Sequence, residues 1–290
     1  MKTAMLKTAM CGKSFWIGCS ALALVSPLQA APVIFSDAGP TPVDIADTVE
    51  AFKVQISQTG PTAQNNGVGG GPFSVGFRAV DWDLVPTANA TPNLMPGDFF
   101  NTTAPVGVVM STTGAGFRVS AKTGEGRPLR FGDIQPSYET TFQSYDGERI
   151  MAPSLSTQTD VIFFVPGDNT VPAFVRGFGV VFADVDRTPL SSLQFWDIYG
   201  NSLGTFFATP SDNGLSFLGV WFNGPEEVGR VRINSGAPPL FAGVDDGAWG
   251  GLADMVTLGP FFFSEPLAIP EPGTAALLSL GFLGLLWRRR

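Results

Sequence analysis

From residue 49 to residue 263 the apolar positions recur in short runs, mostly with a period of two, each closed by glycine, proline or asparagine. That is the pattern of half-buried strands joined by turns. Val49 to Ser57 opens the series, with Phe52, Val54 and Ile56 on one face, and Phe73 to Asp83 resumes it with Phe73, Val75 and Phe77. Val106 to Met110, Gly116 to Lys122 and Leu129 to Gly132 predict three further short strands, while Pro86 to Pro105 and Asp133 to Pro153 read as irregular. Asp160 to Val165 is almost continuously apolar and predicts a central strand ending at Pro166-Gly167, and Phe178 to Asp186 predicts a further strand. Leu193 to Tyr199 and Ser202 to Ala208 flank Gly200-Asn201, a pair suited to a two-residue hairpin turn. Leu215 to Phe222, Val228 to Asn234 and Met255 to Phe263 complete the set. Within Val228 to Asn234, Val231 and Ile233 point inward and Arg230 and Arg232 face solvent. No stretch of ordinary length between these limits carries a helical period. The expected fold class is all-β, a single β-sandwich or jelly-roll-like domain.

The two ends obey different rules. Lys2, Lys7 and Lys13 precede an apolar run from Phe15 to Val25, and Leu28-Gln29-Ala30 offers a small-residue cleavage site. Residues 1–30 therefore read as a secretory signal peptide. Gly12-Lys13-Ser14 imitates the end of a phosphate-binding loop, but Lys7 stands where that loop needs its first glycine. At the other end Pro270-Glu271-Pro272 is followed by an apolar run from Gly273 to Trp287 and then Arg288, Arg289 and Arg290. Fifteen helical residues span about 22 Å against a hydrocarbon core of about 30 Å, a marginal transmembrane helix. The three arginines hold its end on the cytoplasmic side. Pro270 and Pro272 keep Glu271 extended and accessible. The chain thus divides into a leader (residues 1–30), an all-β cargo domain (31–264) and a Pro-rich stalk with its membrane segment and arginine tail (265–290).

The tail resembles the PEP-CTERM sorting signal, on the strength of Pro270, Glu271, Pro272 and the terminal arginines. The resemblance implies export by the secretion machinery, transient insertion in the inner membrane and processing by an exosortase-type enzyme. It also implies a final place at the cell surface or in an extracellular matrix rich in exopolysaccharide. Parts of the cargo, among them Phe77 to Pro86 (FRAVDWDLVP), Asp160 to Gly167 (DVIFFVPG) and Gly177 to Asp186 (GFGVVFADVD), resemble a family of uncharacterised secreted bacterial proteins. Gly259-Pro260 departs from that family's pattern, where paired aspartates are expected before the last strand's phenylalanine.

Composition narrows the chemistry. Both cysteines, Cys11 and Cys19, fall in the leader and the chain has no histidine, so the cargo has no disulfide, no Ser-His-Asp or Cys-His machinery and no ordinary zinc site. The whole chain carries a net charge of −8; over residues 31–269, 11 basic residues face 24 acidic ones, about −13. Nucleic acid is disfavoured as a partner and divalent cations are compatible. Glycine and proline together make 59 of 290 residues, and 25 phenylalanines supply core material.

Three groups of residues are candidates for function. Asp184 and Asp186, at the end of an apolar strand, and Asp245 and Asp246, in a later loop, form an oxygen-only set suited to a structural calcium ion. Solvated acids at strand ends are the plain alternative. Asp81 and Asp83 flank Trp82 and invite comparison with the paired carboxylates of glycosidases, though they lie too close together for attack from two sides. Trp82 and Trp249 are candidates for stacking on sugar rings, whereas Trp196 and Trp221, among apolar neighbours, read as core. Gly67 to Gly71 lacks the lysine of a phosphate loop and reads as a flexible connection. Ser202 lies in a G-x-S-x-G pattern, but within a predicted hairpin and without a histidine to activate it. The expectation is a structural or adhesive surface protein with no catalytic site of its own. A carbohydrate-binding module is the alternative and a glycoside hydrolase the third reading.

Overall fold

The computed structural model describes residues 31–71, 73–241 and 252–270. In chain order the first strands are β1 (Val33–Gly39), β2 (Phe77–Val80), β3 (Val108–Ser111), β4 (Gly116–Val119), β5 (Met151–Ser154) and β6 (Gln158–Val165). Then come β7 (Asp168–Phe174), β8 (Gly177–Val185), β9 (Ser192–Asp197), β10 (Ser202–Phe207) and β11 (Ser211–Trp221). The series ends with β12 (Val228–Asn234), β13 (Gly236–Ala237), β14 (Asp254–Met255), β15 (Thr257–Ser264) and β16 (Leu267–Ala268). Two seven-stranded antiparallel sheets contain most of them. The first has the order β1-β11-β8-β15-β5-β4, with β2 also on β15. The second has the order β10-β9-β12-β6-β7-β16, with β3 also on β6. The sequence's expectation of an all-β sandwich is met.

The sheets face each other across one large apolar core. Phe178, Val180 and Phe182 of β8 and Phe261 and Phe263 of β15 meet Phe163 of β6, Phe195 of β9 and Val231 and Ile233 of β12. The intervening residues Val181, Ala183 and Phe262 point the other way into a second core. That second core explains why every position of β8 and β15 is buried: the first sheet is covered on both faces.

The cover is a helix. The strand expected from Val49 is the second half of α1 (Pro42–Ser57), whose buried residues Ile45, Val49, Phe52 and Ile56 recur at the helical spacing of three and four. The alternation of Phe52, Val54 and Ile56 sampled only part of that stripe. Pro42 is the first helical residue, and the Asp44 carboxylate accepts the Thr41 backbone N–H at 2.9 Å and its hydroxyl at 2.6 Å. The Phe52 ring sits over Gly179 of β8 and Gly219 of β11, which are direct cross-strand partners. A Cβ at either glycine would stand under 3 Å from that ring, so the pair forms a notch for it.

Other expectations change in detail. The run from Phe73 stops at Val80 as β2 and turns into a single 3-10 turn at Trp82–Leu84. Leu129 to Gly132 is no strand: Arg130 and Phe131 both take positive φ, 47° and 68°, in a turn. Two single-turn helices, α2 (Phe99–Thr102) and α3 (Tyr138–Thr141), interrupt the long loops, and Phe131 of the expected strand packs with Tyr138 and Phe142 of the expected irregular segment into a third small core. The hairpin forms, but not with a two-residue turn at Gly200-Asn201: the Asp197 N–H donates to Asn201 O at 3.0 Å, so the chain turns over Ile198-Tyr199-Gly200, with the Asp197 carboxylate accepting the N–H groups of Tyr199 and Asn201.

The expected stalk is partly fold. Glu265 is 3% exposed, β16 pairs with β7, and the Ile269 N–H donates to Pro172 O at 3.0 Å. The residue 67–71 loop is likewise fastened and is no free connection. Arg78 Nη1 donates to Gly67 O at 2.7 Å and Gly69 O at 2.6 Å, while its Nε and Nη2 reach Glu265.

Candidate functional site

Three places collect the polar side chains singled out by the sequence. The first is the corner where β8 ends. β11 enters opposite it with a register shift between Ser211 and Leu215, and the extra residues loop outward. This brings Asp212 toward β8, so that carboxylate oxygens of Asp184, Asp186 and Asp212 lie within 4.8 Å of one another. Asp184 is fully buried at a positive φ of 69°, and its Oδ1 accepts the Asn213 N–H at 2.6 Å. Asp254, buried in β14, accepts the N–H groups of Asp186 and Arg187 at 3.3 Å each and fixes the turn that leaves β8. The expected pair Asp184 and Asp186 is thus joined by Asp212, which the sequence reading omitted. Asp245 and Asp246 lie outside the described residues. An all-carboxylate set of this kind suits a hard divalent cation and no softer metal.

The second place is the Asp81-Trp82-Asp83 turn. Asp81 caps it, accepting the Asp83 N–H at 2.9 Å. The Asp83 carboxylate accepts N–H groups from Glu148 and Arg149, at 3.1 and 2.9 Å, and so ties down a distant loop. Burial raises the Asp81 carboxyl above its usual range, aided by the charges of Asp83 and Asp146 and opposed by the Asp83 N–H and Lys122. The two carboxylates do not confront each other across a cleft; one caps a turn and the other anchors a loop. Trp82 offers no face to a sugar. It is 1% exposed, its indole N–H donates to Gly259 O at 2.7 Å, and Phe100 and Phe261 meet it edge to face. Its aromatic surface is spent in the core, and the bulge at Gly259-Pro260 supplies the carbonyl that the indole needs. Trp249 lies outside the described residues.

The third place is the outward face of the second sheet. Arg230 and Trp196 are cross-strand partners on β12 and β9, with the guanidinium 3.9 Å from the ring centre. Arg232, two residues along, grips the Asp160 carboxylate of β6 with two hydrogen bonds of 3.0 and 2.8 Å. Its own hydrogen bond to Asp160 raises the Arg232 pKa. Trp196, expected in the core, is instead part-exposed on this face. Its alternation with buried Phe195 was the available signal. Trp221, in contrast, is buried as expected.

Ser202 lies exposed at the start of β10, and no histidine exists to activate it. Among the described residues no helix is long and apolar enough to cross a membrane. The expected membrane segment, Gly273 to Trp287, the leader and Glu271, Pro272, Arg288, Arg289 and Arg290 lie outside the described residues, whereas Pro270 is the last residue inside them.

Comparison with curated proteins finds no match to the chain. Comparison with protein families matches residues 268–290 to the PEP-CTERM protein-sorting motif. The match begins at Ala268, within β16, so the folded domain runs directly into the address. The tail is a PEP-CTERM protein-sorting motif, which implies export, transient membrane anchoring and handling by an exosortase-type processing enzyme.

Proposed function

We propose that this protein is an exported structural or adhesive component of an extracellular polysaccharide layer, delivered there by its sorting tail. The observation that carries the reading is the motif at residues 268–290 joined without a spacer to a tightly fastened β-sandwich. The domain's acidic groups support it: Asp83, Glu125, Asp197 and Glu265 are engaged in holding loops and turns. A calcium ion at Asp184, Asp186 and Asp212 would brace the corner of a domain that has no disulfide.

The test is intact mass and fractionation of the protein from cells and medium. Loss of both termini, near Ala30 and near Pro270, and release from the surface on enzymatic digestion of the polysaccharide are the expected results. Mature protein retaining Gly273 to Arg290, or protein indifferent to digestion of the layer, would overturn the reading.

A further inference from the structure

The polysaccharide reading leaves open which surface makes the contact and what chemistry it selects. The first sheet is covered by α1, so its outward face is closed. The second sheet's outward face has no such cover among the described residues: Ile162 of β6 is 39% exposed there, beside Arg230 in the register. The protein is acidic as a whole, yet on this face β12 sets two guanidinium groups on alternate residues, Arg230 and Arg232, the second paired with Asp160.

The two arginines are held differently. Arg232 is locked by Asp160, its planar fork already occupied. Arg230 is stacked on Trp196 and, among the described residues, donates no hydrogen bond. Stacking fixes the plane of a guanidinium without using its in-plane N–H donors. The result is a pre-oriented two-pronged donor beside an aromatic ring. A carboxylate is the planar partner that such a fork takes in bidentate fashion, and an indole edge or face beside it suits the apolar side of a pyranose ring. One available fork is too few for a polyphosphate chain, whose binding requires several charges neutralised together.

Resting on the reading of the protein as a polysaccharide-layer component, we infer that the outward face of the second sheet, centred on Arg230 and Trp196, binds carboxylate-bearing (uronate) polysaccharide. Arg230 supplies the bidentate contact, Trp196 orients it and packs against the sugar, and the Arg232–Asp160 pair keeps the neighbouring strand rigid.

Affinity electrophoresis of the exported protein through gels containing polygalacturonate, neutral dextran or duplex DNA tests this. Polygalacturonate retards the wild type in a salt-sensitive manner, while dextran and DNA leave it unaffected. Arg230→Gln weakens retardation at least about tenfold, the loss expected for a charge-assisted contact. Arg230→Lys, which keeps the charge and loses the fork, also weakens it, and Trp196→Ala does so with an unchanged melting temperature. Should Trp196→Ala unfold the domain, the two Arg230 variants decide. Equal retardation by dextran, retardation by DNA in place of polygalacturonate, or wild-type behaviour of Arg230→Gln would each overturn the assignment. If Arg230→Gln behaves as wild type while digestion of the layer still frees the protein from cells, this face is wrong and the layer reading stands. If the protein never associates with the layer, the layer reading itself fails.

Discussion

Arg78 and Glu265 stand 187 positions apart and form a buried ion pair, Nε to Oε2 at 2.7 Å, that closes the sandwich at the point where the sorting tail departs. Both side chains are almost wholly shielded, at 0% and 2% exposure, and the same guanidinium holds the carbonyls of the glycine-rich loop. Removing one partner strands the other in a medium that solvates it poorly. Arg78→Ala and Glu265→Ala are each expected to lower unfolding free energy by about 3–5 kcal/mol, read by urea denaturation. Replacing both by methionine is expected to cost much less than either single change, because no uncompensated charge remains.

The glycine notch under α1 makes a steric prediction. Gly219→Ala sets a methyl 2.7 Å from the Phe52 ring, and Gly179→Ala sets one at 2.8 Å. Each is expected to destabilise by about 1–3 kcal/mol, as overpacked cores do. Phe52→Leu in the Gly219→Ala background should recover part of the loss in thermal melts, since the clash is with the ring.

Trp82 separates packing from recognition. Trp82→Ala should cost about 3–5 kcal/mol from the cavity alone, with the Gly259 carbonyl left without its indole donor. Trp82→Phe should cost less. Binding of polygalacturonate by the folded Trp82→Phe protein should match the wild type, because Trp82 is 1% exposed.

Acid and alkaline behaviour divide by residue. Burial tends to raise the Glu125 carboxyl, but the Thr87 hydroxyl, the Lys122 N–H and Arg149 outweigh it and hold it below its ordinary 4.5. A depressed carboxyl adds stability above its unfolded value, and that stability is lost as pH falls through the folded value. Asp81 works in the opposite sense: raised above 3.8, its ionised form is disfavoured in the fold. Asp81→Asn is therefore expected to raise the melting temperature at pH 7, with the advantage vanishing below pH 3.8. Glu125→Gln is expected to lower it at pH 7 and to converge with the wild type in acid. Melting curves of the three proteins from about pH 2.5, roughly one unit below the lower of these values, up to about pH 7 check both signs.

The corner at Asp184, Asp186 and Asp212 should respond to cation. Calcium at about 100 times its dissociation constant would stabilise by about 2.7 kcal/mol, read as a rise in melting temperature that chelator reverses. Asp212→Asn should diminish the rise. A melting temperature indifferent to calcium and chelator alike would remove the ion from the account.

Much of the sandwich was legible because β9 and β12 alternate and β6 and β11 fall in near-continuous apolar runs: all four are near where those runs put them. The helix was hidden by aliasing. Phe52, Val54 and Ile56 alternate within a stripe whose true members, Ile45, Val49, Phe52 and Ile56, begin before the window that was read. The signature Thr41-Pro42-Val43-Asp44, a cap followed by proline and an acidic third residue, was the missed signal. Asp184 and Asp186 were placed together from sequence, but their partner Asp212 arrives through a bulge in β11, a non-local event that local pattern does not encode. Trp82 is buried and Trp196 part-exposed, the reverse of the expected burial, for a related reason. A chain that turns at Asp81 carries Trp82 inward, and whether a strand's second face is covered depends on which sheet α1 chooses.

β15, the last long strand, lies inside the first sheet, paired with β8 on one side and with β2 and β5 on the other. It ends at Ser264, and the sorting motif begins at residue 268. A sheet whose keystone is exported last has no complete core while the chain is still threading. The earlier strands must wait, apolar faces unmatched, until the stretch next to the tail has emerged. A transiently anchored tail follows β15 within a few residues, so the stretch that completes the sheet lies next to the anchor. The strand that closes the sheet and the address are thus neighbours in the chain, separated only by the short segment that holds Glu265 and the start of β16.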